Sequence, residues 1–385
     1  MQHAEQLNVA RRLLNLIDTQ GTDRTEAPYL QPVSEYTDPA IAADEKETFF
    51  RRQPLCLGLS NDLPEPGTYR VHDLAGVPIL LVRDLEGQFR AFLNVCRHRG
   101  ARVAEACGAA RGFTCPYHAW VFGLDGSLVN RPDEASFAAL SREDFGLTRL
   151  AAEELHGMLW VCPTPGMDMD VAAWLGNLGP ELAAYGLGTF SHYASREITR
   201  RMNWKLVIDT FLESYHFCVL HRDSICSTFF HNLALFDAYG PHFRLVSPRK
   251  SITAAPDPVA GDSWSVLPHT VVIYILFPNT VVVWQGEQIE LWQIFPGSSP
   301  DEATMRLSLY SPTPALTEKA RRHWDRNMEI VLNVVQNEDF PLGEGIQQGF
   351  HSAAQSHTAF GRNEPALAHY HREITKALHC SRTPA

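Results

Sequence analysis

Two short stretches of the chain each pair a cysteine with a histidine. Cys96-Arg-His98-Arg-Gly100 and Cys115-Pro-Tyr-His118-Ala-Trp120 each offer one thiol and one imidazole, with sixteen residues between His98 and Cys115. Gly100 and Pro116 suit loops at strand ends, where two ligands can point at one ion without helical spacing. Such a set admits two kinds of metal site. Zinc would take all four ligands in a tetrahedron. A two-iron, two-sulfide cluster would take the cysteines on one iron and the histidines on the other. Zinc fingers usually group the cysteines in one pair and the histidines, on a helix, in the other. The mixed pairs here favour the cluster.

A second set lies within residues 203–221. Asp209, Glu213 and His216 stand four and three residues apart, a spacing that predicts one face of a helix. Trp204, Leu206, Val207, Ile208, Phe211 and Leu212 predict that this helix is apolar nearly all round and buried. Two carboxylates and an imidazole are costly there unless a metal ion or hydrogen bonds neutralise them, and the spacing leaves both readings open. His221 follows His216 by five residues and leaves the face. The helix must therefore end, bend or widen near Val219 if both imidazoles are to reach one ion. Two histidines and one carboxylate with open coordination positions would suit iron(II) and O2 chemistry.

These residues need elements to hold them. Leu7, Ala10, Leu14 and Ile17 predict an N-terminal helix, and a short charged helix is expected from about Ala40 to Arg52. After Pro54 the texture turns to strands: Tyr69 to His72, Ile79 to Arg83 and, past the Leu85-Glu-Gly-Gln88 turn, Arg90 to Val95. This β-rich region runs to about Val161, and the Pro- and acid-rich Pro163 to Asp170 looks like its exit. Thr270 to Phe277, Val281 to Trp284, Ile289 to Phe295 and Met305 to Tyr310 predict an antiparallel sheet. A helix over Arg321 to Asn337 carries an apolar stripe, Met328, Val331, Leu332 and Val335. Asp339 continues that stripe, whereas Glu338 falls about a quarter-turn away. Asp339 is thus the better ligand, and Glu338 is expected at the surface or behind a ligand.

With 45% hydrophobic and 20% charged residues in 385, the chain has the composition of a globular protein of two or three domains. A net charge of −11 argues against nucleic acid as a partner. No apolar run reaches the roughly 18 residues of a membrane span, and Met1 to Gln20 lacks the layout of a signal peptide. Eight scattered cysteines suit the cytoplasm, with thiols serving as ligands or as small core residues.

Taken together, the chain resembles the catalytic α subunits of Rieske non-haem iron oxygenases (ring-hydroxylating oxygenases) across nearly its whole length. The resemblance rests on Asn94-Val-Cys96-Arg-His98-Arg-Gly100-Ala, Cys115-Pro-Tyr-His118-Ala-Trp120, Asn203-Trp-Lys205 leading to Glu213-x-Tyr215-His216-x4-His221, and Gln336-Asn-Glu338-Asp339. It implies an α+β protein: N-terminal helices (1–50), an antiparallel-β Rieske [2Fe-2S] domain (51–162) and a helix-grip (START/Bet v1-like) catalytic domain (163–385). It implies that Cys96, His98, Cys115 and His118 hold the cluster, and that His216, His221 and Asp339 hold mononuclear Fe(II), with O2 as co-substrate. Glu213 would join the cluster of a neighbouring subunit to the iron of its own, within a head-to-tail homotrimer. Relatives more often have Asp at that position. Asp209 is expected just behind the ligands, and Asn203 near the iron.

No Gly-x-Gly-x-x-Gly joins a strand to a helix, and no plant-type ferredoxin cysteine run is present. Electrons should therefore come from a separate NAD(P)H-dependent reductase, possibly through a ferredoxin. The expected reaction is hydroxylation, as mono- or dioxygenation, of an aromatic or alicyclic small molecule. Phe217, Phe229, Phe230, Leu233, Phe236, Trp264 and Trp284 are candidate pocket walls. The alternative is a monooxygenase or oxidative N-demethylase of a quaternary ammonium compound of betaine or carnitine type, since the longer bridging Glu is familiar there. A Rieske electron-transfer or structural metal-binding protein is the rival of another class.

Overall fold

The computed structural model describes residues 1–254 and 264–382. The chain forms two compact units. Among the described residues no helix is long and apolar enough to cross a membrane.

The first unit comprises Phe49–Trp174 with Gly186–Thr189. Its seven-stranded antiparallel sheet runs in the order Leu55–Leu59, Met158–Cys162, Arg149–Leu155, Phe89–Leu93, Ile79–Arg83, Thr68–His72, Gly108–Ala109. The Ile79–Arg83 strand is buried along its length, so it reads as an apolar run rather than as an alternation. Three short strands, Phe113–Thr114, Val121–Phe122 and Leu128–Asn130, make a second sheet. Leu80, Val82, Phe92, Trp120 and Phe122 build one core with Cys96 and Cys115 at its edge.

The other unit comprises Met1–Thr48, Leu175–Tyr185 and Phe190–Ala385. Its seven strands are all antiparallel, in the order Ser191–Arg200, Ala303–Ser311, Gln288–Pro296, Thr280–Gln285, Thr270–Leu276, His242–Pro248, Leu235–Tyr239. The helices Trp204–Asp209, Glu318–Val334 and Phe340–Phe350 belong to the same unit. Trp292, in the strand Gln288–Pro296, has its ring 5.4 Å from Phe211 and 6.4 Å from Phe340. Side chains alternate along a strand, so Gln288 and Glu290 share the face of Trp292.

Four strands of this sheet lie where the apolar runs predicted them. Ser191–Arg200, Leu235–Tyr239 and His242–Pro248 were not predicted; the first is polar and half-exposed, and it pairs along Ala303–Ser311 through its backbone. The N-terminal helix, His3–Asp18, buries Val9, Ala10 and Leu13. The charged helix, Pro39–Phe49, is fixed by a buried ion pair between Glu45 and Lys205, and the indole of Trp204 donates to the same carboxylate (2.8 Å).

The helix expected over 203–221 stops at Asp209. Phe211 and Leu212 close tighter turns onto Ile208 and Asp209. The carboxylate of Glu213 then takes the backbone N–H groups of Tyr215 and His216. A side chain that captures backbone donors in this way competes with helix propagation. The helix Glu318–Val334 runs into a π turn, Val335–Asp339, before Phe340–Phe350 continues.

Candidate metal centres and the cavities beside them

In the β-rich unit each Cys/His stretch is a loop closed by its own backbone. The N–H of Cys96 donates to Ala101 O (2.7 Å) and that of Gly100 to Cys96 O (2.9 Å). In the other loop the N–H of Cys115 donates to Trp120 O (2.8 Å) and that of Ala119 to Cys115 O (3.0 Å). Gly100 at φ +84° and Ala119 at φ +56° make these reversals. The left-handed region is unfavourable for a residue with a Cβ such as Ala119, so the surrounding loop holds it there. Cys96 and Cys115 are buried as free thiols, and burial pushes the Cys96 thiol's pKa up. The rings of His98 and His118 lie 4.6 Å apart, and His98 stacks on Trp120 at 4.8 Å. The Nδ1 atoms of both histidines are buried with no hydrogen-bond partner. Orphaned buried nitrogens beside two buried sulfurs are the donor set a [2Fe-2S] cluster of this type needs.

In the other unit His216, His221 and Asp339 come together, one ligand atom from each within 4.8 Å of the others. Asp339 Oδ1 lies 3.2 Å from His221 Nε2 and 3.6 Å from His216 Nε2. Two ligands about 2.1 Å from one ion and ~90° apart would sit about 3 Å from each other, so the set fits a single cation. Each histidine turns its other nitrogen to a second carboxylate: Nδ1 of His216 to Glu213, and Nδ1 of His221 to Glu338 at 2.5 Å. Carboxylates so placed fix ring orientation and tautomer and raise ligand basicity. Burial alone would lower the pKa of His221, but Asp339 and Glu338 outweigh it and raise it. The π turn sets this arrangement, because the wider turn lets Glu338 and Asp339 both reach the same ring. Glu338 is held further by the hydroxyl of Ser224 (2.8 Å).

Asp209 is buried one step away. Its Oδ2 accepts from the hydroxyl of Tyr36 (2.7 Å), and its Oδ1 lies 2.8 Å from Nε2 of His371. Tyr36 and His371 come from opposite ends of the sequence and carried no ligand spacing that would have singled them out. Asn203 is a correction: its side chain does not reach the triad. It caps the Trp204–Asp209 helix by accepting from Lys205 N (3.0 Å), and it donates to Tyr36 O (3.1 Å) and Pro300 O (3.0 Å). A second correction concerns the cysteines, which were expected to be ligands or core thiols. Cys218 and Cys226 are joined as a disulfide across the turns that carry His221, their Cα atoms lying 4.8 Å apart, within reach of that bond.

Two cavities flank the triad, and Asp339 and Thr210 line both. One opens on Asp209, Glu213 and His216. The other, of about 130 Å³, is walled by Phe211, Phe217, Phe229, Ile273 and Val283, with Glu290 as its further carboxylate. Phe217 links this wall to the triad, its ring 5.2 Å from His216 and 5.7 Å from Phe229. Of the expected wall residues, Phe217 and Phe229 are in place. Trp284 instead stacks on Tyr185 and Phe190, and Phe236 on Phe243. Phe211 and Glu290 were missed. Glu290 is 3% exposed, accepts from Gln288 Nε2 (2.9 Å) and from the indole of Trp292 (3.2 Å), and is pushed up to about 7 by burial despite those bonds. The signal was legible as a single acid inside the apolar run Ile289 to Phe295.

A family model of the ring hydroxylating alpha subunit (catalytic domain) matches residues 187–379, and one of the Rieske [2Fe-2S] domain matches residues 53–143. Chloroplastic choline monooxygenase of Spinacia oleracea is 27% identical over 360 residues, covering 92% of this chain and 79% of its own. Biphenyl 2,3-dioxygenase subunit alpha of Rhodococcus jostii is 32% identical over 187 residues, 47% of this chain and 41% of its own. The crystal structure of a quaternary ammonium Rieske monooxygenase in complex with L-carnitine superposes with a TM-score of 0.79 at 20% identity, covering 91% of this chain and 96% of that one.

Proposed function

The chain belongs to the family of ring-hydroxylating α subunits of Rieske non-haem iron oxygenases, and on that premise we propose that its substrate is a small quaternary ammonium compound. As the terminal component of such a system it takes electrons from a separate reductase. When bound, the [2Fe-2S] cluster supplies electrons one at a time and the mononuclear iron supplies the site where O2 is reduced. The proposed ligands are Cys96, His98, Cys115 and His118 for the cluster, and His216, His221 and Asp339 for the iron.

The observation that carries the substrate is the cavity beside Asp339. Three phenylalanine faces attract a cation through their quadrupoles, and Glu290 provides a buried negative charge that no basic side chain around this cavity offsets. An aromatic or alicyclic substrate, the reading expected first, would fill the space and leave Glu290 without a counter-charge. A permanent cation supplies one. The resemblance to choline monooxygenase over nearly the whole chain supports the same reading. The balanced reaction joins O2, two electrons and two protons with a C–H bond next to the cationic nitrogen, giving an alcohol and one water. At an N-methyl group that alcohol releases formaldehyde and a tertiary amine.

Glu213 holds Nδ1 of His216 from the side away from the ion site, and we propose that it also contacts the cluster ligand His118 of an adjoining copy in a homotrimer. Tyr215, Val219, Leu342 and Ile346 are exposed apolar residues on the same unit, which suits a covered surface. A ferredoxin intermediary and a cytoplasmic location complete the reading.

The test is a single turnover. The protein is reduced chemically, mixed with O2 and followed by cluster absorbance, with choline, betaines and carnitine in one pool and aromatic or alicyclic compounds in another. Faster reoxidation with the first pool supports the proposal. Acceleration by the second pool alone would overturn it.

A further inference from the structure

Arg249 stands at the far side of Phe229. The two residues form an isolated antiparallel bridge, and the guanidinium lies 5.1 Å from the Phe229 ring. Its Nε is buried with no hydrogen-bond partner, and among the described residues no carboxylate pairs with it. Burial lowers its pKa from the ordinary guanidinium value, with no offsetting charge. A partly buried cation left without an anion is costly and calls for a partner.

Arg249 faces a cavity of about 400 Å³ that shares Gln285, Ile330 and Val331 with the phenylalanine-walled one. Gln288 joins the two. Its amide donates to Glu290 in the inner cavity, and its oxygen accepts from Asn327 Nδ2 (2.9 Å) in the outer one. A buried carboxylate and an unpartnered guanidinium thus sit in adjoining spaces with an amide side chain between them.

We propose that the paired cavities read a zwitterion, the trimethylammonium group seated against the phenylalanine faces and Glu290, and a carboxylate received by Arg249. This rests on the quaternary ammonium reading and narrows it: betaine-type carboxylates are substrates, and choline, which has no anionic end, is not the preferred one. A guanidinium meets a carboxylate with two parallel donors, and a charge-assisted contact of that kind carries selectivity.

The test is calorimetric titration of the anaerobic, iron-loaded protein with glycine betaine, L-carnitine, γ-butyrobetaine and choline. At least one carboxylate-bearing ligand should bind more tightly than choline. Arg249→Met should weaken that ligand on the order of 10- to 100-fold, the scale of a lost hydrogen bond to a charged group, and leave choline unchanged. Arg249→Lys should restore part of the loss. If choline binds as well as the best zwitterion, or if Arg249→Met weakens both alike, the inference fails while the quaternary ammonium reading stands. If none of the four binds, both fall together.

Discussion

Glu338 Oε2 lies 2.5 Å from Nδ1 of His221, behind the nitrogen that faces the ion site. The neighbouring residue, Asp339, lies on that ring's other nitrogen at 3.2 Å. Two consecutive carboxylates thus grip one imidazole from both edges, one as a proposed ligand and the other as the group that orients it.

Glu338→Gln should keep the ring in place with a weaker acceptor. Iron affinity is expected to fall about 10- to 100-fold, the usual effect of losing such a partner. Iron content after dialysis against a graded chelator would report it. The cluster's visible spectrum should not change, and Asp339→Ala should lose the iron altogether.

Glu213→Gln separates ligand loss from electron delivery. Both metals should stay bound and steady-state turnover should nearly vanish, since the proposed bridge to the cluster of another copy is gone. Iron analysis, cluster absorbance and product formation on one sample decide it. A variant with most of its activity intact would remove the bridging role.

Glu290 links stability, pH and binding. Its carboxyl is held at about 7 in the fold, against about 4.3 in an unfolded chain. Between those values the unfolded chain gives up the proton while the folded one keeps it, so this group makes the ligand-free protein progressively less stable as pH rises from about 4 to 7. Glu290→Gln should therefore raise Tm at pH 8 and leave it nearly unchanged at pH 4. The same variant should weaken a quaternary ammonium ligand and not its neutral-centred isostere 3,3-dimethylbutyrate. In the parent protein, affinity for the cation should rise through pH 7 as Glu290 ionises, with Asp339 the other carboxylate facing that cavity.

Lys205→Met tests the anchor of the site helix. Lys205 is fully buried on Glu45, and removing it leaves an uncompensated buried acid, a loss of ~3–5 kcal/mol. Thermal unfolding should show a large drop in Tm. Adding Glu45→Gln should recover part of it, because a neutral amide can still accept from Trp204.

The cluster loops were legible because their chemistry is local: four ligand types, two short spacings and the loop residues beside them. The apolar strands were legible for the same reason. Glu213 and His216 were placed on a helix because their spacing counts side chains and ignores what a carboxylate can do to nearby N–H groups. Asn203 was expected near the iron, yet the same side chain is better used capping the helix that leads there. Glu290 and Arg249 stood in plain view, but their meaning depends on which strands adjoin and which faces meet. The contact of Tyr36 with His371 spans almost the whole chain, and no local pattern encodes it.

The π turn at Val335–Asp339 has a consequence for how this protein can change over time. Removing one residue there would restore ordinary helical winding and rotate one of the two acids by about 100° relative to the ring they share. Surface positions along Glu318–Val334 can be exchanged freely by comparison. Tolerance to substitution and tolerance to length should therefore part company in this segment: a lineage can repaint the helix, but it cannot shorten it by a residue at the turn and keep its iron.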